Sequence, residues 1–124
     1  MILGIGTDIL SLTHMGRVLA NDAEVFLSRT FTEWERVQAA ERPDPVAYYA
    51  TRFAAKEAVF KSLNLPSDHV RLTEIEIRST ETGRPTVTLS GALAQAATAG
   101  GIREVLLSLS WDDGWAVAYA VAQD

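Results

Sequence analysis

Residues 52–63 read "RFAAKEAVFKSL", placing four charged side chains, Arg52, Lys56, Glu57 and Lys61, among Ala, Phe, Val, Leu and one Ser. At about 100° per residue, Phe53 and Phe60 share one side of a helix, while Ala54, Ala55, Ala58 and Ser62 form a second side with almost no bulk. Both sides are suited to packing. Glu57 projects between them, roughly 40° from Phe53, with Lys61 one turn further along. A carboxylate in that position loses water and must find a cation or a proton. Two readings stand. Glu57 and Lys61 form an i to i+4 pair worth about a few tenths of a kcal/mol, or Glu57 holds a hard cation such as Mg²⁺, which takes few carboxylates and completes its shell with water and phosphate oxygens. The second reading needs another carboxylate from elsewhere in the chain.

Working outward, this helix extends from about Val46 to Leu63 and ends before Pro66. Met1 to Asp8 reads as a strand in which Gly4 and Gly6 let a ligand or another backbone come near, with Asp8 at its end. Asp8 is the best candidate for the second carboxylate, and its competing reading is a capping or turn aspartate. Ser11 caps a helix in which Leu12, Met15, Val18 and Leu19 recur at helical spacing, and Asn21-Asp22 offers a break before "AEVFLSR". Thr32 with Glu35 three residues on is a capping box, so "EWERVQAAE" is expected to be helical up to the Pro43-Asp44-Pro45 turn.

Beyond the central helix, alternation in "LTEIEIRST" (72–80) marks a strand with Leu72, Ile75 and Ile77 inside, and "TGRP" turns into a second strand, "TVTLS". Ser90 is expected to cap an Ala-rich helix, "GALAQAATA", which Gly100-Gly101 ends. "EVLLSLSW" and "WAVAYAVAQ" flank Asp112-Asp113-Gly114, a hairpin signal. Helices come mostly first and strands mostly later, which predicts an α+β fold with an antiparallel sheet packed against helices.

A chain of 124 residues suits a single domain, 1–124. Sixteen acids against eleven bases give a formal charge of −5, so there is no basic excess for general nucleic-acid binding. Cysteine is absent, which excludes disulfides and thiolate metal sites. The apolar opening lacks a basic leader and the length to span a bilayer, so the expectation is a cytoplasmic protein with no membrane segment.

"GIGTDIL" (4–10), "RFAAKEAVFKSL" and "LLSLSWDDGWAVAYAV" (106–121) resemble, in order and spacing, the small holo-[acyl-carrier-protein] synthases, a family of 4'-phosphopantetheinyl transferases. The similarity covers essentially the whole chain, and "GRP" (83–85) resembles the family's Gly-Lys/Arg-Pro turn. The resemblance implies a phosphopantetheinyl transferase-like fold and transfer of the phosphopantetheine arm of coenzyme A to a serine of an acyl carrier protein, releasing adenosine 3',5'-bisphosphate. Under it, Asp8 and Glu57 hold Mg²⁺, and Lys61 supplies a further positive charge. Arg52 and Lys56 reach other phosphate oxygens or, for one of them, hold a structural carboxylate. Gly83, Arg84, Pro85, Ser110 and Trp111 complete the coenzyme-binding set, and Glu35 or a metal-bound water is a candidate to take the serine proton. The alternative is a family member that binds coenzyme A but transfers it weakly or not at all.

The chain departs from the family pattern in three places. "LNLPSD" (63–68) stands where a glycine-rich turn is usual, Ser11 replaces an acidic residue, and Trp111 replaces a histidine. Trp111 is open to three readings, core packing, a neutral indole donor or a ring stacked on adenine. For the acidic carrier protein, the resemblance points to His14 and Arg17, at i and i+3 of the first helix. It also implies a homotrimer with sites between subunits. The closing strand, apolar on both faces, needs cover on both, in keeping with that assembly.

Overall fold

The computed structural model describes residues 1–124, the side chain of His69 excepted. The elements are β1 (Ile2–Ser11), α1 (Leu12–Ala20), α2 (Glu24–Thr30), α3 (Glu33–Ala40), α4 (Pro45–Ser62), β2 (Ile75–Ser79), β3 (Pro85–Leu89), α5 (Gly91–Ala99), β4 (Glu104–Asp112) and β5 (Trp115–Gln123). All strand pairs are antiparallel. They form a three-stranded sheet in the order β1-β5-β4 and a separate β2-β3 ribbon. This is the expected α+β class, with two sheets in place of one.

The long helix α4 lies on the three-stranded sheet, starting with Asp44 as side-chain cap to Ala47 N and Pro45 in its first turn. Its small side does what the sequence suggested. A Cβ added at Gly6 would lie 2.0 Å from the Ala58 carbonyl oxygen, and one at Gly4 would lie 2.0 Å from that of Ser62. The two glycines therefore admit the α4 backbone. On β5, Ala116, Ala118, Ala120 and Ala122 are all buried on the same face, so the helix rests on a surface without bulk. Asn64, in left-handed backbone at φ 57°, follows the helix and donates from its side chain to Leu3 O at 3.1 Å, tying β1 down again.

The opposite sheet face is open. Ile5, Thr7 and Ile9 of β1 pair across from Val121, Tyr119 and Val117 of β5, and Ile5, Ile9 and Tyr119 are each at least 60% exposed. The hairpin between β4 and β5 turns through Asp113 (φ 50°) and Gly114 (φ 81°), the two positive values that a type I′ turn requires. Elsewhere local readings needed correction. Leu72–Glu74 is a 3₁₀ turn, so the strand begins at Ile75. Ser90 makes no side-chain cap to α5; Glu74, from that 3₁₀ turn, accepts from Ala92 N and Leu93 N instead.

Candidate active site

Asp8 falls on the face of β1 turned toward α4, opposite Ala118 of β5. Because the glycines bring β1 close, Lys61 reaches across from α4 to donate to Thr7 O at 3.1 Å and to Asp8 Oδ1 at 3.3 Å. Among the described ion pairs, the one Lys61 makes is with Asp8, so the helix-internal pair with Glu57 is not the arrangement adopted. Glu57 lies one turn earlier on α4 and is half-buried. Burial pushes its carboxyl above the ordinary range, the nearby Asp8 charge pushes it further, and Lys61 opposes both. Asp8, Glu57 and Lys61 thus act on one another as one cluster.

The cluster supplies hard oxygen donors from two carboxylates. No group of three or more His, Cys, Asp or Glu side chains suited to a metal occurs among the described residues. That donor set is too small for a closed protein cage, and it matches Mg²⁺, which is commonly bound by one or two carboxylates with water and substrate phosphates filling the remaining positions.

A second group of predicted residues gathers elsewhere. Arg52, Gly83, Pro85 and Trp111 line a cleft of about 400 Å³ together with Arg42 and Tyr48. The Arg52 guanidinium stacks 4.4 Å from the Tyr48 ring centroid, and that of Arg42 lies 5.0 Å from it. Arg52 donates to Thr51 Oγ1 at 3.1 Å, its buried Nε lacks a partner, and burial pulls its pKa down. Among the described residues neither arginine has a carboxylate within ion-pair distance. Two uncompensated guanidiniums and an indole are chemistry for an anionic, aromatic ligand. Trp111 is 55% exposed, which removes its core-packing reading. Arg42 was missed, because it sits in a turn with no periodic signal. Tyr48 was legible as the residue four before Arg52, hence on the same helix face.

The remaining candidates are dispersed. Arg84 is exposed in the β2-β3 turn, and Ser110 sits opposite Val117 on the open sheet face. His14 and Arg17 are both exposed on α1.

Two readings are overturned by burial. The Lys56 ammonium is fully buried and its three donors go to Glu35 Oε1 at 2.7 Å, Leu72 O at 2.9 Å and Ile75 O. It therefore does not reach a phosphate; it is the basic residue that holds a structural carboxylate. Glu35, also fully buried, accepts from Thr32 N in the capping box and from Ile77 N at 2.8 Å. Enclosed in that way, it is no acceptor for a proton from an outside hydroxyl.

Fold and site together define an α+β protein with a carboxylate–lysine cluster between β1 and α4 and a separate arginine-lined cleft. The chain belongs to the 4'-phosphopantetheinyl transferase superfamily, whose family model matches residues 4–120. Within it, the chain is 40% identical over 126 residues to the holo-[acyl-carrier-protein] synthase of Anaeromyxobacter dehalogenans (strain 2CP-C), covering 99% of this chain and 97% of that protein. It is likewise 40% identical to part of fatty acid synthase subunit alpha of Schizosaccharomyces pombe, matching over 95% of this chain but spanning only 6% of that much longer protein. The holo-[acyl-carrier-protein] synthase structure from Neisseria meningitidis superposes with TM-score 0.91 at 34% identity, covering 100% of both chains. The Helicobacter pylori synthase in complex with coenzyme A gives TM-score 0.83 at 27% identity, over 96% of this chain and 99% of that one. Among the described residues no helix is long and apolar enough to cross a membrane.

Proposed function

We propose that this protein, as one domain spanning residues 1–124, is a holo-[acyl-carrier-protein] synthase that moves 4'-phosphopantetheine from coenzyme A to a serine of an apo-acyl carrier protein. The observation that carries the reading is the convergence of Asp8, Glu57 and Lys61 from β1 and α4 in a chain of this family. Transfer of this kind asks the protein for positioning and charge neutralisation above all. The serine hydroxyl gives its proton to water as its oxygen bonds to the phosphorus that carries pantetheine, the bond from that phosphorus to the bridging oxygen breaks, and adenosine 3',5'-bisphosphate leaves with the electron pair.

Asp8 and Glu57 are the residues that would hold Mg²⁺, which when bound supplies charge neutralisation for the pyrophosphate. Lys61 donates to a phosphate oxygen beside them. Arg42 and Arg52 take the coenzyme's phosphomonoester, and Trp111 offers its ring to adenine, with Gly83 and Pro85 shaping the cleft.

Arg52 and Glu57 project from α4 about 140° apart, on different sides of the helix. We read the complete site as shared, the carboxylates and Lys61 from one subunit and the arginine cleft from its neighbour in a homotrimer. The open face carrying Ile5, Ile9, Trp115 and Tyr119 supports such an assembly, since exposed apolar sheet of that extent calls for cover. The acidic carrier would dock on His14 and Arg17, with affinity that falls as salt rises.

Incubating the protein with coenzyme A, Mg²⁺ and an apo-carrier, then weighing the carrier, tests the function. A gain of one phosphopantetheine group is expected. Coenzyme binding with no change in carrier mass would make the protein a binding module.

A further inference from the structure

The Lys61 ammonium already stands on the carboxylate that a divalent ion would share. It is fixed by two acceptors on β1, Asp8 Oδ1 at 3.3 Å and Thr7 O at 3.1 Å. An ion with ligand oxygens at about 2.1 Å would sit against that ammonium, and two cations that close repel. Two carboxylates and one ammonium leave the cluster with a single net negative charge. A divalent ion arriving alone would turn this into a net positive charge with the ammonium still opposed to it. Pyrophosphate arriving with the ion restores the balance and gives the ammonium a new partner. Lys61 has freedom to follow, for its side chain is 52% exposed at the end of α4 and its stem borders a shallow apolar groove formed with Ile5 and Tyr119.

We propose that Lys61 is the resident counter-ion of the Asp8–Glu57 pair, so that the divalent ion and the coenzyme's pyrophosphate enter together, the phosphate drawing the ammonium off Asp8 as the ion takes its place. This rests on the reading of Asp8 and Glu57 as the ion's ligands. Its consequence is a reciprocal coupling: coenzyme strengthens ion binding, the ion strengthens coenzyme binding by the same factor, and Lys61 is a large part of the reason.

Calorimetric titration of Mn²⁺ into the full chain tests this, first without coenzyme and then with saturating coenzyme A. Lys61→Met and Lys61→Gln are compared with the wild type after circular dichroism has shown all three folded. Without coenzyme, both variants should bind Mn²⁺ about tenfold more tightly once the competing cation is gone. Coenzyme A should tighten Mn²⁺ binding strongly in the wild type and by a smaller factor in the variants. Equal or weaker Mn²⁺ binding by both variants overturns the proposal. Asp8→Asn separates the two levels of the argument. If it binds Mn²⁺ like the wild type with coenzyme present, the carboxylates are not the ligands and both readings fall. If it loses Mn²⁺ while the lysine variants show no tightening, the counter-ion role alone falls.

Discussion

Replacing Lys56 by Met should destabilise the protein severely, although Lys56 touches no ligand in this account. The ammonium and the Glu35 carboxylate are each fully buried, 2.7 Å apart. Burial pulls the lysine's pKa down while Glu35 holds it up. Met fills the space of the stem but leaves a buried carboxylate facing only the N–H groups of Thr32 and Ile77, a loss of about 4 kcal/mol. Glu35→Gln should cost about 3 kcal/mol by leaving the ammonium without its counter-charge. In the double variant no buried charge remains, so its loss should fall short of the sum by about 2 kcal/mol. Urea unfolding followed by circular dichroism, at one fixed protein concentration, gives all four corners of the cycle. A Lys56→Met loss under about 1 kcal/mol, or additivity within about 0.5 kcal/mol, would refute the reasoning that this pair joins α3, β2 and α4.

Gly6→Ala should destabilise by about 3 kcal/mol or more, because the new methyl meets α4 backbone that no rotamer change can move; transfer should fall with it as Asp8 shifts from Glu57, and thermal unfolding with a rate assay checks both. Glu57→Gln should raise the melting temperature at pH 7 when unfolding is followed in chelator, and should abolish transfer when the rate is assayed with Mg²⁺. The sign follows from its raised folded pKa: wild-type Glu57 favours the fold fully below the unfolded value of 4.5 and loses that contribution as pH rises through the folded value. The gain from Gln should therefore vanish as pH falls toward 4.5. Light scattering should report about three times the 13.5 kDa chain mass, and Tyr119→Asp on the open face should lower it.

How legible this was depended on whether a residue's role was local. Helix α4 was placed to within a residue at each end, because a proline turn and the phase of Phe53 against the alanines are properties of contiguous sequence. The Thr32–Glu35 capping box was legible for the same reason. The second life of Glu35 was not, since its bonds to Lys56 and Ile77 join residues 21 and 42 positions away and no spacing rule connects them. The α5 cap went to Glu74 over the adjacent Ser90 for a like reason: the fold delivered a carboxylate that competes better than the neighbouring hydroxyl. Asp8, Glu57 and Lys61 were found together because a family resemblance joined them. The spacing alone left a Glu57–Lys61 pair and a cation site both open and did not show the Lys61–Asp8 pair, as the strand's approach over Gly4 and Gly6 could not be measured from the sequence.

The shared site is tested most directly by complementation. Asp8→Ala removes one half of the proposed site, and the Arg42→Ala, Arg52→Ala double variant removes the other half. Each should be nearly silent alone when the carrier protein is weighed after incubation with coenzyme A and Mg²⁺. Co-expressed in equal amounts, a site is intact wherever a chain with Asp8 meets a neighbour with both arginines. Random assembly makes about one site in four intact, so transfer should return to about a quarter of the wild-type rate. No recovery in mixed assemblies of confirmed composition would contradict the account, because it would mean that the carboxylates and the arginines serve the coenzyme from within one chain.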